Sequence, residues 1–149
     1  MKIYTILLSI LIIVFSGCTK NNGDIGPWFG SWHLYEIEVD NTPDNTYSGN
    51  IVWAFQSSII KMTVINLHHQ TDEYWGTWEE TDGFLTLNYT HSNAETSPGT
   101  NEYGFPPSIY LPANGIIKLQ IIEQSNNRLF LEYTKTDGIK IIYRLQKQI

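Results

Sequence analysis

Apolar and polar residues alternate along the second half of the chain with the period of two that a half-buried β-strand requires. In residues 85–90, Leu or Tyr at the odd positions alternates with Thr or Asn at the even ones. Residues 129–134 and 139–146 largely repeat this arrangement, and Asp137-Gly138 lies between them. Asp-Gly between two such segments is a strong hairpin signal, because both residue types tolerate positive φ. The pattern therefore predicts that these two segments form a β-hairpin.

Six earlier segments are rich in β-branched and aromatic residues and are separated by Gly, Asn, Asp and Pro, which makes them candidate strands. They are residues 32–39, 51–56, 59–67, 74–80, 84–90 and 116–123. With the hairpin they give about eight consecutive strands, and no segment has a convincing helical period. Short links between most of them favour an all-β, antiparallel up-and-down barrel, in which no edge strand stays exposed. The longer link, residues 91–112, contains four prolines and is predicted to be a loop over one barrel end.

The composition fits one compact domain and argues against some partners. A chain of 149 residues has the length of a single domain. Apolar residues make up 42% and charged residues only 16%, so we expect a globular fold. The formal net charge is -6, and Lys and Arg are scattered singly, so the chain has no basic surface for nucleic acid or for anionic lipid headgroups. We expect no nucleic-acid partner.

The first residues have the features of an export signal. Lys2 is followed by an apolar run, residues 3–15. As a helix this run would be about 20 Å long at ~1.5 Å per residue, too short for a hydrocarbon core of roughly 30 Å. Ser16-Gly17-Cys18 follows it and resembles the lipobox of bacterial lipoproteins, in which the Cys is acylated and becomes the mature N-terminus.

The lipobox resemblance implies a signal peptide at 1–17 and an acylated start with a flexible tether at 18–27. The barrel domain predicted from the strand pattern then occupies residues 28–149. Cys18 is the only cysteine, so no internal disulfide can form. Two or more acyl chains would hold the protein stably on a membrane of the cell envelope, which we expect to be the outer membrane. The leaflet, and whether the domain faces the periplasm or the surface, stay open.

Gly30-Ser31-Trp32 at the head of the first predicted strand is similar to the short Gly-x-Trp signature of lipocalins. From Trp28 onward the chain resembles the lipocalin-like lipoproteins of Gram-negative gut bacteria. The resemblance implies that Trp32 closes the barrel base and is covered by an Arg of the last strand, for which Arg144 is suitably placed. A guanidinium group over an indole ring is favourable.

An eight-stranded barrel is either filled by its own side chains or wide enough to hold one small ligand. Five aromatic residues are candidates for its inner face: Tyr74, Trp78, Tyr89, Tyr133 and Tyr143. They would line an apolar pocket in which hydroxyl groups orient a ligand, or else form an ordinary solid core. The pattern alone leaves both alternatives open.

A second set of aromatic residues is less easily placed inside the barrel: Trp28, Phe29, Trp53, Trp75 and Phe105. We expect some of them to be exposed, either scattered singly or clustered into an apolar patch for a protein, lipid or glycan. Residues 103–107 of the link are interpreted as a lid or recognition edge, or as a tolerated insertion.

No motif argues for catalysis or for a metal. His68 and His69 are near Asp72 and Glu73, but adjacent residues on a strand point to opposite faces, so both His cannot easily bind one ion. The chain has no Gly-rich phosphate loop and no Gly-x-Ser-x-Gly elbow. We therefore expect no enzymatic activity, no cofactor and no metal site.

With no motif for catalysis or a metal, the sequence leaves two candidate functions. The preferred one is a cell-envelope lipoprotein whose barrel binds a small apolar or amphipathic molecule. The alternative is a non-enzymatic interaction protein with a solid core, which contacts an envelope protein or a glycan through exposed aromatics and the 91–112 loop. An interior cavity would separate the two.

Overall fold

The computed structural model describes residues 26–94, 105, 107–112 and 115–148. These residues form nine strands, and two 3₁₀ turns lie between them at Leu67–His69 and Pro107–Ile109. The strands are β1 (Gly30–Val39), β2 (Thr42–Pro43), β3 (Ile51–Gln56), β4 (Ile59–Ile65), β5 (Thr71–Thr81), β6 (Phe84–Ser92), β7 (Ile116–Gln124), β8 (Arg128–Thr134) and β9 (Lys140–Lys147).

All strand pairs are antiparallel, and the sheet closes on itself. Each strand from β3 to β8 pairs with the next one along the chain, and β1 pairs with both β3 and β9. The short β2 pairs only with the end of β1, so the wall consists of eight strands, β1 and β3–β9. The predicted eight-stranded up-and-down barrel is confirmed.

The predicted hairpin of the last two strands is also confirmed. Leu131 of β8 lies opposite Tyr143 of β9, and the Lys135 N–H donates to the Ile139 carbonyl at 2.9 Å in the turn. Only Gly138 has positive φ there, at 87°. The turn between β5 and β6 uses the same residue types differently, since Asp82 and Gly83 both have positive φ, as in a two-residue type I′ turn.

Most strand bounds are close to the predicted ones, and β3 matches its prediction of 51–56. The segment predicted as a strand at 59–67 is β4, which ends earlier, at Ile65. His68 and His69 both have φ of 61° in the turn that follows, so they lie on no strand and the strand argument against a shared metal does not apply to them. The two-residue β2 was not predicted.

The inner faces of the eight wall strands form one buried hydrophobic cluster. Its largest fully buried side chains are Trp32, Trp53, Tyr74 and Tyr143, and no polar or charged residue is buried among the described ones. Alternation decides which residues face inward, with local corrections. A bulge between Leu34 and Glu36 shifts the phase of β1, so Leu34 and Ile37 are both buried.

The barrel has two differently built ends. We call the end with Gly30 and Lys147 the base, and the end with Val39 and Lys140 the top. Core residues that belong to no wall strand lie at both ends: Trp28 at the base, and Phe105, Ile109 and Leu111 from the link between β6 and β7. Within the described residues, no helix is long and apolar enough to span a bilayer.

Candidate binding site in the barrel interior

The base of the barrel is closed by tryptophans. Trp32 is fully buried, and its indole Nε1 donates to the Trp28 carbonyl at 2.8 Å. The Trp28 ring packs against Phe55 and Trp78 with centroid distances of 5.1 and 5.3 Å, and its Nε1 donates to Glu80. Every indole N–H of this pair is satisfied, so the base is a finished closure.

The prediction that Arg144 covers Trp32 is wrong. Buried Tyr143 and Leu145 flank Arg144 on β9, so alternation turns Arg144 to the outer face. Its Nε there contacts Glu38 at 2.8 Å and Glu36 at 3.1 Å. The hydrogen bond with Glu38 raises the pKa of the Arg144 guanidinium above its ordinary value. The aromatic ring that this guanidinium contacts is that of Phe130, with the ring centre 4.6 Å away.

Lys147 takes the position expected of the arginine. It pairs with Trp32 across β1 and β9, and its Nζ lies 5.2 Å from the Trp32 ring centre and donates to the Pro27 carbonyl at 3.1 Å. Gly30 has φ of 120°, and a Cβ there would come within 3.1 Å of the Lys147 Cε. The predicted roles of Gly30 and Trp32 in base closure therefore agree with their positions, with lysine as the cation.

The top is covered by the link between β6 and β7. The Phe105 ring lies between Tyr74 and Tyr89, with centroid distances of 4.9 and 5.1 Å. Ile109 is fully buried, and its carbonyl accepts a hydrogen bond from the Tyr143 hydroxyl at 2.7 Å. The predicted loop over one barrel end is thus confirmed for Phe105 and residues 107–112. Residues 95–104 and 106 lie outside the described part, and they include three of the five residues of the 103–107 segment.

The structure separates the five predicted interior residues into two groups. Tyr74, Tyr89 and Tyr143 are buried and contact the link at the top. Trp78 is half-buried near the base, against Trp28 and Phe55. Tyr133 is half-buried and packs against the core. The top therefore holds the three tyrosines that could contact one ligand together.

Four buried polar atoms on the wall strands have no hydrogen-bond partner among the described residues. Two of them are the Tyr89 hydroxyl and the Trp53 indole Nε1. A buried polar group without a partner costs about 1–3 kcal/mol, so such groups are rare and call for an explanation. The Trp78 Nε1 and the Gln124 side-chain amide nitrogen are in the same condition, on residues toward the base.

The interior tyrosines are neutral. Burial raises the pKa of Tyr89 and Tyr143 far above the ordinary tyrosine value. Burial, with a smaller contribution from Asp72, raises the pKa of Tyr74 to about 12. Their hydroxyl groups therefore keep their protons at any physiological pH and act as hydrogen-bond donors.

The prediction that the second aromatic set is hard to place inside is wrong for three of its members. Trp28, Trp53 and Phe105 are buried, whereas Phe29 is 38% exposed and Trp75 is half-buried on the outer face. Trp53 lies two residues from both Ile51 and Phe55 and shares their face of β3, so its place on the strand was a signal for its inward position. Phe105 belongs to a link without any period, and no such signal existed.

Other candidate features lie away from the interior. An open groove of about 350 Å³ on the outer wall is lined mainly by residues of β5–β7, including Thr77, Glu79 and Asn88. Among the described residues, no group of three or more His, Cys, Asp or Glu could hold a metal ion. Cys18 lies outside the described residues.

The closed wall and its two covered ends define a small antiparallel β-barrel protein. A family model of the lipocalin-like domain matches residues 13–137, and the chain belongs to this family. The predicted resemblance to lipocalin-like proteins of gut bacteria is confirmed.

Two solved structures have a similar fold. One is the crystal structure of a lipocalin-like protein from Bacteroides uniformis, with 17% identity, a TM-score of 0.58, and coverage of 80% of this chain and 98% of that chain. The other is an uncharacterized protein from Bacteroides eggerthii, with 16% identity, a TM-score of 0.59, and coverage of 81% and 99%. At these identities the similarity concerns the fold alone. A search of curated proteins found no match.

Proposed function

We propose that this protein is a lipoprotein of the bacterial cell envelope whose barrel binds a small apolar or amphipathic molecule at its top. Affinity comes from burying the ligand's apolar surface, at roughly 25 cal/mol per Å², and orientation comes from tyrosine hydroxyls. The proposal requires binding and no chemical step. Membership of the lipocalin-like family supports it.

The observation that carries the proposal is the position of Phe105. Its ring fills the space between Tyr74 and Tyr89, but it belongs to the link and to no strand of the wall. A ligand can therefore take the place of this ring while the strand pairing of the wall stays intact. A ligand at this place requires Phe105 to withdraw, so binding and withdrawal of Phe105 are coupled.

Native mass spectrometry of the full chain, purified from membranes in mild detergent, tests the binding. We expect a fraction of the protein to carry a co-purified small molecule. Phe105→Ala removes the competing ring and should raise that fraction, whereas Phe29→Ala, a matched change at an exposed phenylalanine, should leave it unchanged. If all three proteins show only the mass of the acylated chain, the binding proposal fails.

The anchor is proposed from the sequence features around Cys18. Pro27 lies at the base, where its carbonyl accepts a hydrogen bond from Lys147, so a tether from Cys18 would join the barrel at its base. Trypsin should release an acylated peptide that begins at Cys18 and ends at Lys20. A mature protein that begins upstream of Cys18, or that carries an unmodified thiol there, contradicts the anchor.

The alternative, an interaction protein that uses exposed aromatics, receives less support. Three of the five aromatics proposed for such a surface are buried in the core. The link, which was the other part of this surface, places Phe105 and Ile109 inside the barrel. No feature of the described surface favours a particular protein or glycan partner.

A further inference from the structure

We infer that the ligand is uncharged and carries a hydrogen-bond acceptor, such as a ketone, ester or ether oxygen, on its apolar body, and that the Tyr89 hydroxyl donates to this acceptor. The inference rests on the proposed function, because it assigns the chemistry of the ligand at that same site. It is carried by two observations: donors that lack acceptors, and an interior that lacks charge.

The unpartnered donors belong to the wall of the proposed site. Tyr89 is only 7% exposed, contacts Phe105, and has a hydroxyl without a hydrogen-bond partner among the described residues. Trp53 is fully buried, and its indole N–H can donate but cannot accept. A ligand atom that accepts a hydrogen bond satisfies a group that the folded chain leaves unsatisfied. A pure hydrocarbon in the same place does not.

The two donors lie on one continuous inner surface. Trp53, Met62 and Tyr74 are opposite one another on β3, β4 and β5, and all three are buried. Phe105 lies on Tyr74 at one end of this row. An apolar ligand that displaces Phe105 therefore meets Tyr89 first, with Trp53 further along the wall. This order is why we assign the hydrogen bond to Tyr89.

The absence of charge argues against anionic ligands such as fatty acids. No charged residue is buried in the described part of the chain. Lys147, the cation in contact with a core ring, lies at the base over Trp32 and is engaged with the Pro27 carbonyl. A carboxylate at the top would lose its hydration without gaining an opposite charge, which is costly. Burial also holds the Tyr89 pKa high, so its hydroxyl remains a donor.

Three probes of nearly equal shape separate these effects. Acetophenone carries a ketone oxygen, α-methylstyrene has a CH₂ group in its place, and benzoate carries a negative charge. Their dissociation constants for the full chain in detergent are measured by saturation-transfer NMR, with empty micelles as the blank. One neutral hydrogen bond should make acetophenone bind about threefold to tenfold more tightly than α-methylstyrene. Benzoate should bind most weakly.

Tyr89→Phe assigns the donor, because it removes the hydroxyl and keeps the ring. We expect the Tyr89→Phe variant to bind acetophenone and α-methylstyrene about equally well, because its affinity for acetophenone falls while its affinity for α-methylstyrene is unchanged. Tyr35→Phe is the matched control, since Tyr35 is 40% exposed, and it should keep the full preference. Circular dichroism of each variant confirms that the barrel is folded.

The outcomes distinguish this inference from the proposed function. If none of the three probes binds, the binding site itself is contradicted. If α-methylstyrene binds as tightly as acetophenone, or benzoate binds best, the inference is overturned and the proposed function stands. A preference for the ketone that survives in Tyr89→Phe overturns the assignment of the donor.

Discussion

Gly76 marks a place where β5 and β6 approach more closely than a side chain allows. It faces Tyr89, and the register slips between Trp75 and Gly76. A Cβ at Gly76 would lie 2.2 Å from the Asn88 carbonyl oxygen and 2.7 Å from the Tyr89 Cα. Both neighbours are backbone atoms, so they cannot move aside without separating the strands. The glycine thus positions Tyr89, which carries the proposed donor.

Gly76→Ala should therefore destabilise the barrel. Overpacking of this kind costs typically about 1–3 kcal/mol, and here the strands themselves must separate. Denaturant unfolding measures the loss. Thr77→Ala, an outward change at the next residue, should alter the free energy of unfolding by less than about 0.5 kcal/mol. Equal stability of the two variants would show that β5 and β6 have room for a methyl group.

The cation over Trp32 gives a second prediction at the scale of residues. Lys147→Met keeps an apolar chain but removes the charge, which at 5.2 Å from the ring centre contributes about 0.5–1 kcal/mol. We expect this loss of stability and a shifted Trp32 indole N–H resonance in two-dimensional NMR. Arg144→Met should leave that resonance in place, because Arg144 lies on the outer face with Glu36 and Glu38. If Arg144→Met shifts the Trp32 resonance and Lys147→Met does not, then arginine and not lysine covers Trp32.

These residues show how far alternation predicts the site. It predicted the buried positions of Tyr89 and Tyr143, because each lies on a strand with a clear period of two, whereas Tyr74 is buried on β5, where the register slips after Trp75. The Arg144 assignment came from the family resemblance and conflicted with alternation on β9. Phe105 could not be predicted at all, since its position depends on contacts with distant strands and on no local period.

Among the elements, the link is the one held by few, identifiable contacts. Besides the buried side chains of Phe105 and Ile109, a hydrogen bond from the Tyr110 hydroxyl to the Asp44 carboxylate at 2.8 Å ties it to the loop that follows β2. Tyr110→Phe should remove this tie and speed exchange of the backbone amide hydrogens of residues 108–111 at pH 7. Tyr35→Phe should have no effect there. Unchanged exchange in Tyr110→Phe would mean that burial and the hydrogen bond from Tyr143 to the Ile109 carbonyl hold the link without it.

The same hydrogen bond predicts a pH dependence. Hydrogen bonds from the Thr46 side chain and backbone, and then from Tyr110, lower the Asp44 pKa below its ordinary value of 3.8. A carboxyl group with a lowered folded pKa stabilises the fold above 3.8, and this contribution is lost as the pH falls through the folded value. The difference in exchange between wild type and Tyr110→Phe should thus be full at neutral pH and narrow below about pH 3.8. A difference that persists in acid contradicts the charged acceptor.

Strands were more predictable than the segments between them, for a physical reason. A strand of the wall buries one face along its whole length, so its composition tends to repeat every two residues, as in β6 and β9. The ends of β4 and β5 were predicted less well, because the turn at His68 and His69 depends on positive φ at non-glycine residues. Sequence gives no reliable signal for that.

At the scale of the whole molecule, closure joins the first wall strand to the last. Seven residue pairs link β1 to β9, and beyond them the Asp40 N–H donates to the Lys140 carbonyl at 2.8 Å. Lys147 reinforces the seam at the base, and Arg144 does so on the outer face. Because a closed sheet has no edge, the seam is what keeps the molecule from presenting two unpaired strands to its neighbours.

Opening the seam should therefore change association as well as stability. Ile142 lies opposite Glu38 of β1 and Glu132 of β8, so Ile142→Pro removes a backbone donor from the middle of the sheet. Ile122 is 52% exposed and falls in the bulge of β7, where proline is better tolerated. We expect Ile142→Pro to lower the denaturation midpoint much more than Ile122→Pro and to form oligomers in native mass spectrometry, through edges that the closed barrel hides. If both variants stay equally stable and monomeric, the β1–β9 pairing is dispensable, and the proposed binding site at the top cannot depend on a closed wall.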